Sequence, residues 1–268
     1  MESRGPHCAE APEQQVASCA SSGPTSEGAG KFCFPIRDLE NDRVKLTPFI
    51  PSVHAPAYWE GTRTHPEIYT FLPLGPFSTY DALVAHISPR WSPGRAEQIV
   101  FAILAKSQTP SASNTDTATV TETPYTFAGI CGYINTVAAH LTTEIGALVS
   151  LPAFQGTGVM SAAVALLMQY ALLLPSEGGL GLRRVQYQTD ANNDRSIALA
   201  RKFGFQQEGI LRWHRVMPGE KSGLSPREGD GKPGTKGRHT AILAVCWDDW
   251  EQGVKEKISR PGHVLYAA

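Results

Sequence analysis

The longest apolar pattern in the chain runs from residue 144 to residue 174. Glu144 to Leu151 is a short apolar run suited to a buried strand, and Pro152 ends its hydrogen-bond ladder. Val159 to Leu174 is almost wholly apolar and reads as a buried helix stopped by Pro175. Between them lies Pro152-Ala153-Phe154-Gln155-Gly156-Thr157-Gly158. Gly156 and Gly158 let the backbone turn tightly and approach a ligand with no Cβ in the way. A helix start exposes unpaired N–H groups and the positive end of the macrodipole. The pattern therefore suits an anion, most naturally a phosphate or pyrophosphate; an ordinary strand-to-helix turn is the plain alternative.

The other elements follow from similar cues. Arg43 to Phe49 alternates apolar and polar and is the first predicted strand. A helix is predicted over His54 to Thr64 with Ser52 as cap, and a short helical piece over Pro66 to Leu72. Ser78 or Thr79 caps a further helix over Tyr80 to Ile87. Ile99 to Ala105 and Thr126 to Val137 are strands; Gly129 and Gly132 in the second mark a bulge or a close backbone approach. Downstream come a strand at Arg184 to Gln188, a turn at Asp190 to Asp194, a helix at Ser196 to Phe203 and a strand at Phe205 to Val216. A last strand at Thr240 to Cys246 and a helix at Trp247 to Ile258 complete the order. Phe32 to Leu39 is an extended lead-in. The sum is mixed α/β: adjacent strands, a strand–loop–helix–strand crossover, then a helix and a terminal strand pair.

Composition sharpens the boundaries. Residues 1–31 are rich in Ser, Gly, Pro, Ala and Glu and predict a flexible tail, leaving 32–268 as one domain. Two polar stretches, near 107–124 and 218–238, read as flexible insertions. With 41% hydrophobic residues the chain can bury a sizeable core, and a formal net charge of −1 suggests neither a nucleic-acid nor a membrane-surface partner. The five cysteines are scattered with no metal-ligand spacing, so no metal and a reducing, cytoplasmic setting are expected. The run from Val159 is short for a membrane span and contains Gln169.

Three blocks in order carry a family resemblance. Gln155-Gly156-Thr157-Gly158 with its preceding residues resembles an acetyl-CoA loop of the form Arg/Gln-x-x-Gly-x-Gly/Ala. Asn193-Asp194-Arg195-Ser196 followed by Lys202-Phe203-Gly204-Phe205 resembles an Asn-x-x-Ser…Leu-Gly-Phe block. Glu208-Gly209-Ile210-Leu211-Arg212 resembles the strand after it. Weaker echoes are Arg43-Val44-Lys45-Leu46 and Arg238-His239-Thr240. Together they resemble the GNAT acyltransferase superfamily, most closely its RimJ/RimL-type ribosomal-protein N-acetyltransferase branch, over roughly 43 to 251. The resemblance implies a GNAT fold: a mostly antiparallel sheet of six to seven strands, splayed at the cofactor cleft, with helices on both faces.

It also implies roles. Leu148, Val149 and Ser150 would pair with the pantetheine arm of acetyl-CoA, and Gln155, Gly156, Thr157, Gly158, Val159 and Met160 would hold its pyrophosphate. Asn193 is a pantetheine contact or a helix cap. Ser196 is the acid for the departing thiolate, because Ala200 stands where many relatives carry a tyrosine. Met160 stands where the loop pattern has Gly or Ala, and Arg215 where RimL-type enzymes place a carboxylate. Glu144 is a base or a structural carboxylate; His214 is a base of near-neutral pKa or an exposed strand histidine. Tyr69, Phe71, Trp91, Tyr133 and Trp213 line an acceptor pocket or the core; His54, His86 and His140 receive no role. The implied activity is direct transfer of an acetyl group to an amine, on a small molecule or a protein N-terminus, by a monomer or homodimer. The rivals are a non-catalytic acyl-CoA-binding regulator on the same fold and an O-acyltransferase.

Overall fold

In a computed structural model, residues 32–92, 94–107 and 125–259 are described, and their apolar strands assemble into one eight-stranded sheet. The strands are β1 (Leu39–Glu40), β2 (Val44–Pro48), β3 (Ile99–Lys106), β4 (Tyr125–Val137), β5 (Thr142–Ser150), β6 (Arg184–Asp190), β7 (Gln206–Met217) and β8 (Lys236–Cys246). Their spatial order is β1-β2-β3-β4-β5-β6-β8-β7. Every neighbouring pair is antiparallel except β5 with β6, which is parallel. That one parallel pair requires a crossover, supplied by α3 (Val159–Leu172). The strand count exceeds the expected six to seven. The lead-in adds the two-residue β1, whose Leu39 is fully buried opposite Leu46.

Both faces of the sheet are covered, and alternation along β3 shows how. Ile99, Phe101, Ile103 and Ala105 join the core under α3, while Val100 and Ala102 join the core under α1 (Pro51–Thr62) and α2 (Tyr80–Trp91). α3 is buried along nearly its whole length, as its apolar run predicts. Among the described residues no helix is long and apolar enough to cross a membrane. α4 (Asp194–Lys202) lies on the α3 face through Ala200 and Phe203. The expected close approaches in β4 are present: a Cβ on Gly129 would lie 2.0 Å from the Val149 carbonyl oxygen, and one on Gly132 2.2 Å from that of Ile99.

Several expectations change. Ser52 does not cap α1; the helix begins at Pro51, and the Ile50 N–H donates to His54 Nδ1 at 2.9 Å. Proline at the first helical position needs no N–H partner there. α2 runs past Ile87 and through Pro89, because Trp91 packs edge-on against Phe49 and Tyr58. The C-terminal helix breaks into Trp247–Asp249, Trp250–Val254 and Lys255–Ile258, where Gly253 takes φ 126°. The tail expected over 1–31, and all but Ser107 of the insertion expected near 107–124, lie outside the described residues.

The stretch 218–238 is partly ordered by specific contacts. Lys236 to Arg238 belong to β8, and Leu224 bridges back to Gly237. Lys221 is only 8% exposed, and its ammonium donates to the carbonyls of Tyr69, Leu72 and Leu74 at 2.5–2.6 Å. Arg238 Nη1 donates to the Phe71 carbonyl at 3.0 Å. Two cations thus hold the segment that follows the short helix Pro66–Tyr69.

Candidate active site

The sheet opens beside the parallel pair. β5 and β6 pair only from Thr142–Arg184 to Ile145–Tyr187. Beyond that point β6 continues to Asp190 on β8 alone, and Gly146 to Ser150 leave it. A bulge helps them diverge: the β4–β5 register jumps between Ile130 and Gly132, and Ala147 takes φ 54°. A short apolar strand signal carries no trace of where its partner stops. The splay was expected from the family resemblance alone.

A cleft of about 900 Å³ fills the opening on the α3 side. Leu148, Val149, Ser150, Gln155, Gly156, Gly158, Met160 and Asn193 line it, so eight of the ten predicted cofactor residues are brought together there. Thr157 turns its hydroxyl onto the Phe154 carbonyl at 2.7 Å, and Val159 packs its side chain into the core. Gly156 and Gly158 have φ of 76° and 87°, the left-handed region that L side chains avoid. The first helical bond of α3 runs from Ala162 N–H to the Gly158 carbonyl at 2.9 Å. The N–H groups of Val159, Met160 and Ser161 precede it and have no helical acceptor. Arg43 Nη2 donates to the Thr157 carbonyl at 2.9 Å, fastening the loop to the start of β2.

Two cations in this cleft were missed. Arg195 and Lys202 line it together with Leu199. Their spacing of four and then three residues along α4 is one helical face, a signal the sequence contains. The N–H groups of Met160 and Ser161 at a helix start, with that of Val159 held only by a 3.4 Å bond to Thr157 Oγ1, two cations and a splayed strand edge fit the diphosphate and the amide-bearing arm of a CoA ester. Asn193 combines both expected behaviours: Oδ1 accepts from the Ser196 N–H at 3.1 Å as a cap, and the residue lines the cleft.

A second cavity, of about 460 Å³, lies on the other side of the opening, and Val149 borders both. Glu144 is in its wall and only 3% exposed. Burial pushes the Glu144 carboxyl above the usual carboxylate range. A hydrogen bond from Asn135 at 2.8 Å, the charges of Arg215 and Arg238, and a hydrogen bond with Gln186 oppose that rise without cancelling it. A carboxylate so placed can accept a proton from a bound amine nearer to neutral pH. Arg215, Arg238 and Gln188 share the wall, and Gln188 Oε1 is buried without a hydrogen-bond partner among the described residues. His86, given no role from sequence, lines this cavity too, with its pKa lowered by burial and by Arg90. Of the aromatics, Trp91 lines this cavity and Phe71 the larger cleft; Tyr69 and Tyr133 are core, and Trp213 is exposed.

Ser196 lies where the strands part, outside both cavity walls, and His214 goes elsewhere. Ser196 Oγ lies 2.9 Å from the hydroxyl of Tyr187, the last β6 residue paired to β5. Tyr187 is buried, which pushes its phenol up to about 12 although the Ser196 contact lowers it. His214 lies in the β7 bulge between Leu211 and Arg215 and is in the wall of neither cavity. Its pKa is lowered by burial and by Arg215 and Arg238.

A family model for the acetyltransferase (GNAT) domain matches residues 43–206, more than half of the chain. The protein belongs to the GNAT acetyltransferase family. GNAT proteins transfer an acyl group from acyl-CoA to an acceptor, and this protein is an acyltransferase. A probable GNAT-family acetyltransferase from Chromobacterium violaceum is 25% identical. The alignment covers 88% of this chain and 100% of that one, with a TM-score of 0.61. Mycobacterium smegmatis RimJ in complex with CoA-disulfide shares the GNAT fold at 16% identity, with a TM-score of 0.55 over 83% of this chain and 91% of that one. So does an acetyl transferase from Salmonella typhimurium that modifies the N-terminal serine of ribosomal protein L7/L12. It is 16% identical, with a TM-score of 0.51 over 76% and 95% of the two chains. No curated protein matches the chain significantly.

Proposed function

We propose that the protein is an acetyl-CoA-dependent N-acetyltransferase of the RimJ/RimL-like type. In this reading it transfers the acetyl group directly to an acceptor amine within a ternary complex. The observation that carries the reading is Glu144: a buried carboxyl of raised pKa, in a cavity that adjoins the α3-side cleft across Val149. Bound acetyl-CoA supplies the activated acyl carbon. The loop at Gly156 and Gly158 and the start of α3 hold the phosphates, with Arg195 and Lys202 offsetting their charge. The free edge of Leu148 to Ser150 takes the pantetheine arm. Holding both reactants across Val149 lowers the entropic part of the barrier. Glu144 takes a proton from the amine, directly or through a water, and Ser196 Oγ, set by Tyr187, supplies one to the departing sulfur.

Release of free CoA thiol from acetyl-CoA, measured across a panel of amines, tests the reading. Intersecting initial-rate lines are expected for a ternary complex, and parallel lines would argue for a covalent enzyme intermediate. Ala200 in place of a tyrosine favours one rival, a CoA-binding protein without turnover. Calorimetric CoA binding with no release from any amine would establish it.

A further inference from the structure

Arg215 on β7 and Arg238 on β8 stand directly opposite each other in the ladder, and both line the smaller cavity. Like charges directly opposite on adjacent strands repel and destabilise the pair. Neither arginine has a carboxylate within ion-pair distance among the described residues. Arg238 is 8% exposed; Nε and Nη2 donate to Thr240 Oγ1, and Nη1 to the Phe71 carbonyl. Those bonds position it but leave its charge unbalanced. Asp190 and Glu144 act on it only at longer range. Arg215 is exposed, and its guanidinium makes no hydrogen bond within the described residues. Arg90 adds a third positive charge to the wall, while the single carboxylate there, Glu144, is hydrogen-bonded by Asn135.

On the reading that this cavity takes the acceptor, we infer that the acceptor is an amine that also carries a carboxylate. The carboxylate lies between Arg215 and Arg238, and the amine lies at Glu144 and Gln188. Guanidinium forks match a carboxylate two bonds at a time, and an anion between the two arginines removes their mutual repulsion. The unpaired Gln188 Oε1 accepts from the amine N–H, which gives that buried oxygen its missing partner. The volume suits a small amino acid or the first residue of a peptide, so both sources of the same chemistry belong in the test.

The experiment uses the full chain and matched acceptors. The small-molecule arm compares 4-aminobutyrate with 4-aminobutyramide, and the peptide arm compares an Asp-initiated peptide with its Asn-initiated twin. Phosphoethanolamine and 1,4-diaminobutane complete the panel. Binding is measured by calorimetry in the presence of CoA, and turnover by CoA release. The carboxylate member of at least one pair is expected to bind about tenfold or more tightly, the scale of a hydrogen-bonded charge. Arg215→Gln should abolish that preference while the Kd for CoA stays unchanged. Equal binding within both pairs, a preference for the diamine or the phosphate, or a preference that survives Arg215→Gln overturns the inference. If no amine is turned over, the proposed activity falls, and the binding comparison still decides this inference.

Discussion

The cleft beside α3 is drawn mostly from one stretch, 148 to 161, and one face of α4, with Glu67, Ile68 and Phe71 closing it, whereas the cavity across Val149 takes its walls from segments scattered between Leu72 and Arg238. The first offers mostly main chain: a free strand edge, two glycines in the left-handed region and the N–H groups of a helix start. The second offers side chains: one buried carboxyl, a carboxamide whose oxygen is buried, and three arginines. Main-chain recognition tolerates sequence drift, because every residue carries the same amide. Side-chain recognition changes with single substitutions. A fold built this way can keep its acyl donor while its acceptor changes.

Five substitutions sharpen that contrast, and the largest effect should come from the acceptor side. Glu144→Gln should lower kcat/KM by about 100-fold or more, the scale of a lost general base, with little change in the Kd for CoA. The proposed mechanism needs Glu144 deprotonated, and its folded pKa is raised. Activity should therefore climb with pH through a midpoint above that of an ordinary carboxylate, and pH–rate profiles of the variant should lack this limb. A variant with an intact acidic limb would assign that limb to another group.

Lys221→Met leaves the carbonyls of Tyr69, Leu72 and Leu74 without their donor. Thermal unfolding should register a loss of about 2 kcal/mol, the range for hydrogen bonds to a charged group. The acceptor KM should rise more than the Kd for CoA, since Leu72 and Leu74 wall the smaller cavity. An unchanged melting curve would mean that Lys221 anchors nothing.

On the main-chain side, Gly158→Ala forces an L residue to φ 87° and brings its Cβ to 3.1 Å from Arg43 Nη1. Strain of about 1–2 kcal/mol should weaken CoA binding about tenfold in calorimetry, with relative rates across an acceptor panel preserved. A changed acceptor preference would break the separation between the two sides. Ser196→Ala should have the smallest effect, about three- to tenfold in kcat, below the usual range for a general acid because a thiolate leaves readily. Tyr187→Phe should give a similar loss, and the double variant little more if the two hydroxyls act together.

Most of the α3-side cleft was legible in advance because, Glu67, Ile68 and Phe71 apart, its parts are contiguous or follow one helical period. Glycines after a short apolar run, a helix behind them and Asn193 three residues before Ser196 are local signals. Arg195 and Lys202 could have been added from their spacing along α4. His86, Gln188 and Arg238 could not be grouped with Glu144 from sequence, since nothing local relates α2, β6 and β8. His214 illustrates the limit from the other side. Its neighbour Arg215 reaches the cavity, and the β7 bulge leaves His214 out of the wall. Four steps along β7 there match two along β8, so strand alternation read from the sequence does not say which side chain faces the site.

Local patterning determined the order of elements, the buried helix and the glycine loop that leads into the start of α3, because strand and helix periods and backbone freedom act over a few residues. Tertiary structure decided where β5 parts from β6, which charges meet across the opening and that Lys221 and Arg238 hold the segment above it. Those outcomes depend on strand register and on burial, which arise only when distant segments share one core.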